Sequence, residues 1–228
     1  AKSLKKLMAT YERGHLEEAE RQAMSLSKRF PEHPFAWKML GAVCARAGRH
    51  AEAIEANKRV LAIDQQDFEA LSNLGSALKQ SGDLAEAEMC LKKATELSPR
   101  SAQAHYNLGA CYAAQAKNAL AEASYHDAIR EDHRLHSAHF NLGVVLQNLG
   151  RYEEAEVSYK QATELKPDYE AAFNGLGAVQ SLMGKLEESR TNFERAIEIK
   201  PNFPEAFLGL GVTLKSVSYT HLTLPTSR

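Results

Sequence analysis

A chain of 228 residues holds 28 lysines and arginines against 29 aspartates and glutamates, for a formal net charge of −1. That balance excludes a general phosphate-binding surface, because non-specific nucleic-acid affinity comes from net basic patches. The longest apolar runs fall far short of the ~18 residues of a membrane span, and no charged-then-apolar signal segment opens the chain. Cys44, Cys90 and Cys111 are odd in number and sit within helical stretches. They read as small buried hydrophobes of a reducing compartment, so a cytoplasmic location is expected.

From Pro34 onward the chain keeps a strict beat. Leu-Gly returns at Leu40-Gly41, Leu74-Gly75, Leu108-Gly109, Leu142-Gly143, Leu176-Gly177 and Leu210-Gly211, always 34 residues apart. A period of that length means stacked units that bury their apolar faces only against neighbours. With the glycine of Leu-Gly as position 8, position 3 is always alanine. Position 15 is glycine apart from Ala116, position 20 is alanine apart from Ser189, and position 24 is aromatic in Tyr125, Tyr159 and Phe193.

The elements follow in order. Residues 1–33 form a degenerate first copy: Gly14, Ala19 and Pro31 fall at positions 15, 20 and 32. Leu7 precedes Gly14 by one residue too few, so the first helix, about 2–13, is expected to be shifted or frayed. Five full units fill 34–203. In each, apolar residues at helical spacing predict a first helix, which the position-15 glycine ends as a left-handed C-terminal cap. A second helix follows, with Asp83 and Glu86 reading as a capping box for one of them. Proline at position 32 stops the second helix in Pro99, Pro167 and Pro201, with Gln65 and His133 as departures. Small residues at positions 8, 20 and 27 allow close approach of two helix axes. Residues 204–215 begin a further unit. The pattern then stops, and Val217 to Thr226 reads as the in-frame translation of a transposase adapter used in sequencing libraries. Residues 216–228 are therefore expected to be an artefactual tail, and the natural protein to continue past Lys215.

Trp37-x2-Leu40-Gly41, Ala155-x3-Tyr159 and Pro167 together resemble the tetratricopeptide repeat (TPR). The resemblance implies an all-α, right-handed α-solenoid of antiparallel helix pairs, with the first helix of each pair lining a concave groove. The function it implies is protein–protein interaction, with an extended peptide or a partner helix held in that groove.

Within the groove, position 6 reads Met39, Asn73, Asn107, Asn141, Gly175 and Gly209. A row of amides offers both donors and acceptors to a peptide backbone of any sequence. In this respect the array resembles the superhelix of O-linked N-acetylglucosamine transferases, whose asparagine ladder holds extended substrate protein. The likeness carries over to Asn73, Asn107 and Asn141 only. Lys79 lies on the same predicted face. Tyr106 and Phe140 are either aromatic anchors for a ligand or packing against the neighbouring unit. A carboxylate clamp is not expected: Lys38 and Asn73 match it, but Ala42, Gln103 and Asn107 do not.

His136 and His139 are spaced i, i+3, with His133 and His105 nearby, but no cysteine or carboxylate completes a metal signature. His105 and His139 share position 4, so repetition accounts for them. No metal, cofactor or catalytic group is expected within the array. Two readings remain: an independent scaffold, or the recognition arm of a larger enzyme such as a glycosyltransferase or sulfotransferase.

Overall fold

The computed structural model describes residues 2–223, with side chains placed for 3–216. All the regular structure among them is helical. The chain divides into two compact units, residues 1–117 and 118–228. The first holds α1 (Lys2–Glu12), α2 (Leu16–Arg29), α3 (Pro34–Arg46), α4 (His50–Ile63), α5 (Phe68–Ser81), α6 (Leu84–Leu97) and α7 (Ala102–Ala114). The second holds α8 (Asn118–Glu131), α9 (His136–Asn148), α10 (Tyr152–Leu165), α11 (Glu170–Leu182), α12 (Leu186–Ile199) and α13 (Pro204–Thr223). Within each unit consecutive helices pair and the pairs stack, as in α3 with α4 and α4 with α5, or α9 with α10 and α10 with α11.

Among the described residues the worn first copy forms both of its helices, with no shift out of the stack. Leu7 is completely buried with Ala19, Ala23, Leu40 and Val43. Its one-residue shift puts it at position 8, where the other copies have glycine. The leucine thus fills a contact that elsewhere is made by a side chain of the second helix.

Turns follow the expected chemistry with two revisions. Gly82 caps α5 at φ 91°, its N–H and that of Asp83 donating to Lys79 and Leu78 carbonyls. The same position in the next copy is Ala116, held at φ 57°. The capping box at Asp83 does not form, and the Asp83 side chain makes no cap hydrogen bond. Its backbone N–H, which Glu86 would need, is already committed to Leu78, 3.0 Å away. Glu86 lies instead 3.5 Å from Lys58. The two units lacking proline at position 32 are also explained. Asp64 accepts from Gln66 N–H and Asp132 from Arg134 N–H, each at 2.9 Å. An aspartate turn there replaces the conformational restriction that proline supplies elsewhere.

Adjacent copies are also tied by ion pairs between residues 29 apart. Glu20 meets Arg49 at 2.6 Å, Glu88 meets Lys117 at 2.7 Å, Glu122 meets Arg151 at 2.8 Å and Glu156 meets Lys185 at 2.6 Å. Where the basic partner would be Asp83, the glutamate is replaced by Ile54. Bonds from Lys117 and Lys92 hold the Glu88 carboxyl at about 2. Burial works against ionisation of Glu156, but bonds from Gln180, Lys185 and Lys160 prevail and hold it at about 2 as well.

Helix α13 starts at Pro204 as expected and continues to Thr223 rather than ending near Lys215. The rest of the stretch read as an adapter-derived tail lies outside the described residues. Phe207, Leu208, Val212 and Leu214 are exposed on α13.

Candidate functional site

Position-2, -5, -6 and -9 side chains of the first helices share one face, and in the first unit they form a groove of about 580 Å³. Its walls include Phe35, Lys38, Met39 and Ala42 from α3, Phe68, Glu69, Ser72 and Asn73 from α5, then Ser101 and Gln103 at the start of α7. Asp67 caps α5 by accepting from Ala70 N–H at 2.9 Å, and it also pairs with Lys38 at 2.6 Å. Glu69 reaches the same ammonium at 2.8 Å. Burial depresses the Lys38 pKa, but the Asp67 and Glu69 bonds outweigh it and leave it raised. The groove therefore presents apolar and amide groups around a cation already matched by two carboxylates. A ligand carboxylate would have to displace them, a further reason against a clamp.

The sequence-predicted residues fall into three situations. Asn73 is exposed in the groove and makes no side-chain hydrogen bond among the described residues. Asn107 is half-buried; it donates to Ser72 Oγ and accepts from Gln103 Nε2, both at 2.9 Å, so its amide links α7 to α5. Asn141 is half-buried on α9 in the second unit. Lys79 is half-buried, and burial lowers its pKa. Tyr106 is half-buried on α7. Phe140 packs on Tyr159 and Tyr169, with ring centroids 5.8 and 5.0 Å away, which favours the packing role for that ring.

The interruption of the asparagine series also has a physical cause. A Cβ on Gly175 would stand 2.7 Å from the Tyr159 ring, and one on Gly209 would stand 2.4 Å from the Phe193 ring. The Tyr159 and Phe193 rings thus crowd position 6 of the next copy, where glycine stands, whereas Tyr125 is followed by Asn141. Asn174 lines a second groove of about 350 Å³ with Ala178, Leu182, Leu208 and Val212.

His105 and His139 are structural fasteners. Trp37 Nε1, His105 Nε2 and His139 Nε2 each reach the carbonyl six residues earlier, on Pro31, Pro99 and His133, at 2.9 to 3.0 Å. His136 meets the edge of Tyr169. Glu20, Cys44 and Glu52 come within metal-binding distance of one another. Arg49 already bridges both carboxylates at 2.6 and 2.9 Å, and burial pushes the Cys44 thiol up. That set is a protonated thiol beside neutralised carboxylates, a poor donor set for a cation.

Phe35, Phe68 and Glu69 are groove residues that the sequence reading passed over. The signal was available: position 2 of the copies that start at Pro34 and Phe68 is Phe35 and Glu69, and position 1 of the latter is Phe68.

No curated protein matches the sequence. Residues 7–141 match the profile described as the cilia and flagella-associated protein 70 C-terminal domain. Residues 136–169 match a tetratricopeptide repeat and 181–217 a TPR repeat. Among solved structures, a chain of the APC/C hetero-tetramer Cut9-Hcn1 superposes with a TM-score of 0.85 at 19% identity. That alignment covers 93% of this chain and 42% of the other, so the chain spans less than half the length of that relative. Pseudomonas aeruginosa pilF gives a TM-score of 0.77 at 18% identity, covering 90% and 93%. YrrB, described as a TPR protein with an unusual peptide-binding site, gives 0.62 at 19%, covering 81% and 95%. At these identities the likeness is one of fold.

Proposed function

The chain belongs to the tetratricopeptide-repeat family and to that of the cilia and flagella-associated protein 70 C-terminal domain, and from that premise we propose that it binds another protein. The ligand is an extended peptide, or a partner helix, laid along the groove of α3, α5 and α7, and the chain acts by binding without catalysis. TPR folds commonly mediate protein–protein interaction, and one structural neighbour is described by its peptide-binding site.

The observation that carries the reading is the open groove of about 580 Å³ with Asn73 exposed in it. An amide can donate to one peptide group and accept from the next, whatever the side chains. Phe35, Met39 and Phe68 supply the apolar surface that gives such a contact affinity. Asn107 would exchange its bonds to Ser72 and Gln103 for bonds to the ligand, and Asn141 is a separate candidate contact on the second unit's own first-helix face. The free thiols of Cys44, Cys90 and Cys111 suit the reducing compartment expected from the sequence.

Each amide contact contributes about 0.5–1.5 kcal/mol, so each asparagine-to-alanine change should weaken capture about 2- to 10-fold. The test is capture of a random peptide pool by the wild type and by Asn73→Ala, Asn107→Ala and Asn141→Ala, singly and together. The variants are expected to keep wild-type helicity and lose affinity. Capture unchanged in the triple variant would end the asparagine reading.

A further inference from the structure

Helix α13 is uncovered on the face that its counterparts bury. Position 11 is Cys44, Leu78, Leu146 and Gln180 in earlier copies, each 1 or 2% exposed, whereas Leu214 on α13 is 44% exposed. Position 4 repeats the contrast: Phe173 is half-buried, and Phe207 is 52% exposed.

The other copies show what belongs on that face. A position-24 side chain of the second helix lies against the position-8 glycine of the first. A Cβ on Gly75 would stand 2.5 Å from Leu91, one on Gly143 2.8 Å from Tyr159, and one on Gly177 3.1 Å from Phe193. Positions 20 and 27 of those second helices are small and fully buried, as in Ala155 with Ala162 or Ser189 with Ala196. Beside Gly211 the same slot is open, with nothing within 4 Å among the described residues. Helix α13 also runs on to Thr223, whereas the other first helices have ended by position 14.

The charge at this edge is reversed. Position 21 is glutamate in four earlier copies, and each one pairs with the basic residue at position 16 of the next, just ahead of its second helix. In the last full copy position 21 is Arg190. Among the described residues it meets only Glu187 and Glu194 of its own helix, at 3.1 and 3.6 Å, and its Nε makes no hydrogen bond. The matching group at position 16 of an incoming helix is therefore an acid.

We propose that α13 docks an amphipathic helix of a partner protein in the place of a second helix. The docked helix has an acidic residue at its N-terminal end to meet Arg190, and a small residue four positions later. A leucine or aromatic ring follows four positions after that, filling the slot at Gly211, and a second small residue comes three later. This surface is distinct from the groove of α3, α5 and α7 and does not rest on that reading.

The chain's own α12 supplies the probe. A labelled peptide of residues 185–199 carrying Lys185→Glu presents the acid, Ser189, Phe193 and Ala196 at the required spacing. Fluorescence anisotropy with the full chain should show saturable binding, with backbone amide shifts in α12 and α13. Phe193→Ala in the peptide should weaken binding about tenfold or more, because the slot stays empty. The peptide with Lys185 unchanged should bind up to about fivefold more weakly, the size of an exposed ion pair, and Arg190→Glu in the chain should reverse that order. Gly211→Leu extends into open space in the free chain, so it should keep wild-type helicity and abolish binding. No saturable binding, or equal binding to Gly211→Leu, overturns the docking face. Shifts in α3 and α5 instead would place the peptide in the groove and overturn it as well. Equal affinity of the two peptides for both proteins overturns the Arg190 contact. Sedimentation of the chain alone tests the other occupant: a dimer that Gly211→Leu breaks gives the face to a second copy and overturns the partner helix.

Discussion

At the scale of single residues, backbone conformation separates copies that look interchangeable. Ala116 holds a left-handed φ of 57°, where Gly14, Gly48, Gly82, Gly150 and Gly184 stand in the other copies. Ala116→Gly should therefore raise stability by about 0.5–1 kcal/mol, after the added unfolded-state entropy of glycine is set against the relieved strain. A denaturant melt checks this; an unchanged or lower midpoint contradicts it. The Asp64 turn gives a second expectation. Asp64→Ala should cost about 0.5–1.5 kcal/mol, and adding Gln65→Pro should recover most of it. The sequence showed both departures from proline but not their remedy, because an aspartate one position earlier has no meaning until the turn is seen. Asp83 erred in the other direction. Its spacing to Glu86 satisfied the capping pattern, but the preceding helix had already taken the N–H that pattern needs.

At the scale of helices, the contacts of position 8 decide which glycines can change. A Cβ on Gly143 would stand 2.8 Å from the Tyr159 ring, whereas one on Gly211 would meet nothing within 4 Å among the described residues. Gly143→Ala should cost about 1–3 kcal/mol by overpacking. Gly211→Ala should be neutral or stabilise by up to about 1 kcal/mol through helix propensity. Thermal melts of the two variants side by side test the assignment, and equal losses would contradict it. Close approach at position 8 was legible in the period of the sequence. The glycines at position 6 were not, since Gly175 and Gly209 answer to rings from the preceding copy, and only three-dimensional stacking shows that crossing. The candidate site was legible to the same extent. The period selected the face on which Asn73 lies. It did not show Asn107 tied to Ser72, Phe140 packed on Tyr159, or Lys38 neutralised by Asp67 and Glu69.

At the scale of the whole molecule, each unit carries carboxylates that join neighbouring copies, Glu88 in the first and Glu156 in the second. Both are held at about 2, below the usual 4.5. A carboxyl whose folded pKa is depressed adds stability that is complete above its unfolded value and lost as pH falls through the folded one. Stability should therefore be steady above pH 5 and fall between about 4.5 and 2, by on the order of 1–3 kcal/mol per carboxylate. Glu88→Gln and Glu156→Gln should lower stability at pH 7 and flatten that fall. A pH profile as steep as the wild type's in the double variant would contradict the role given to these pairs. The central claim remains the groove of the first unit, and hydrogen exchange with and without a pool-selected peptide tests it most directly. Peptide binding should slow exchange in α3 and α5, which line the groove, and leave α4 and α6 unchanged. Protection confined to α4 and α6, or found only in the second unit, would contradict it.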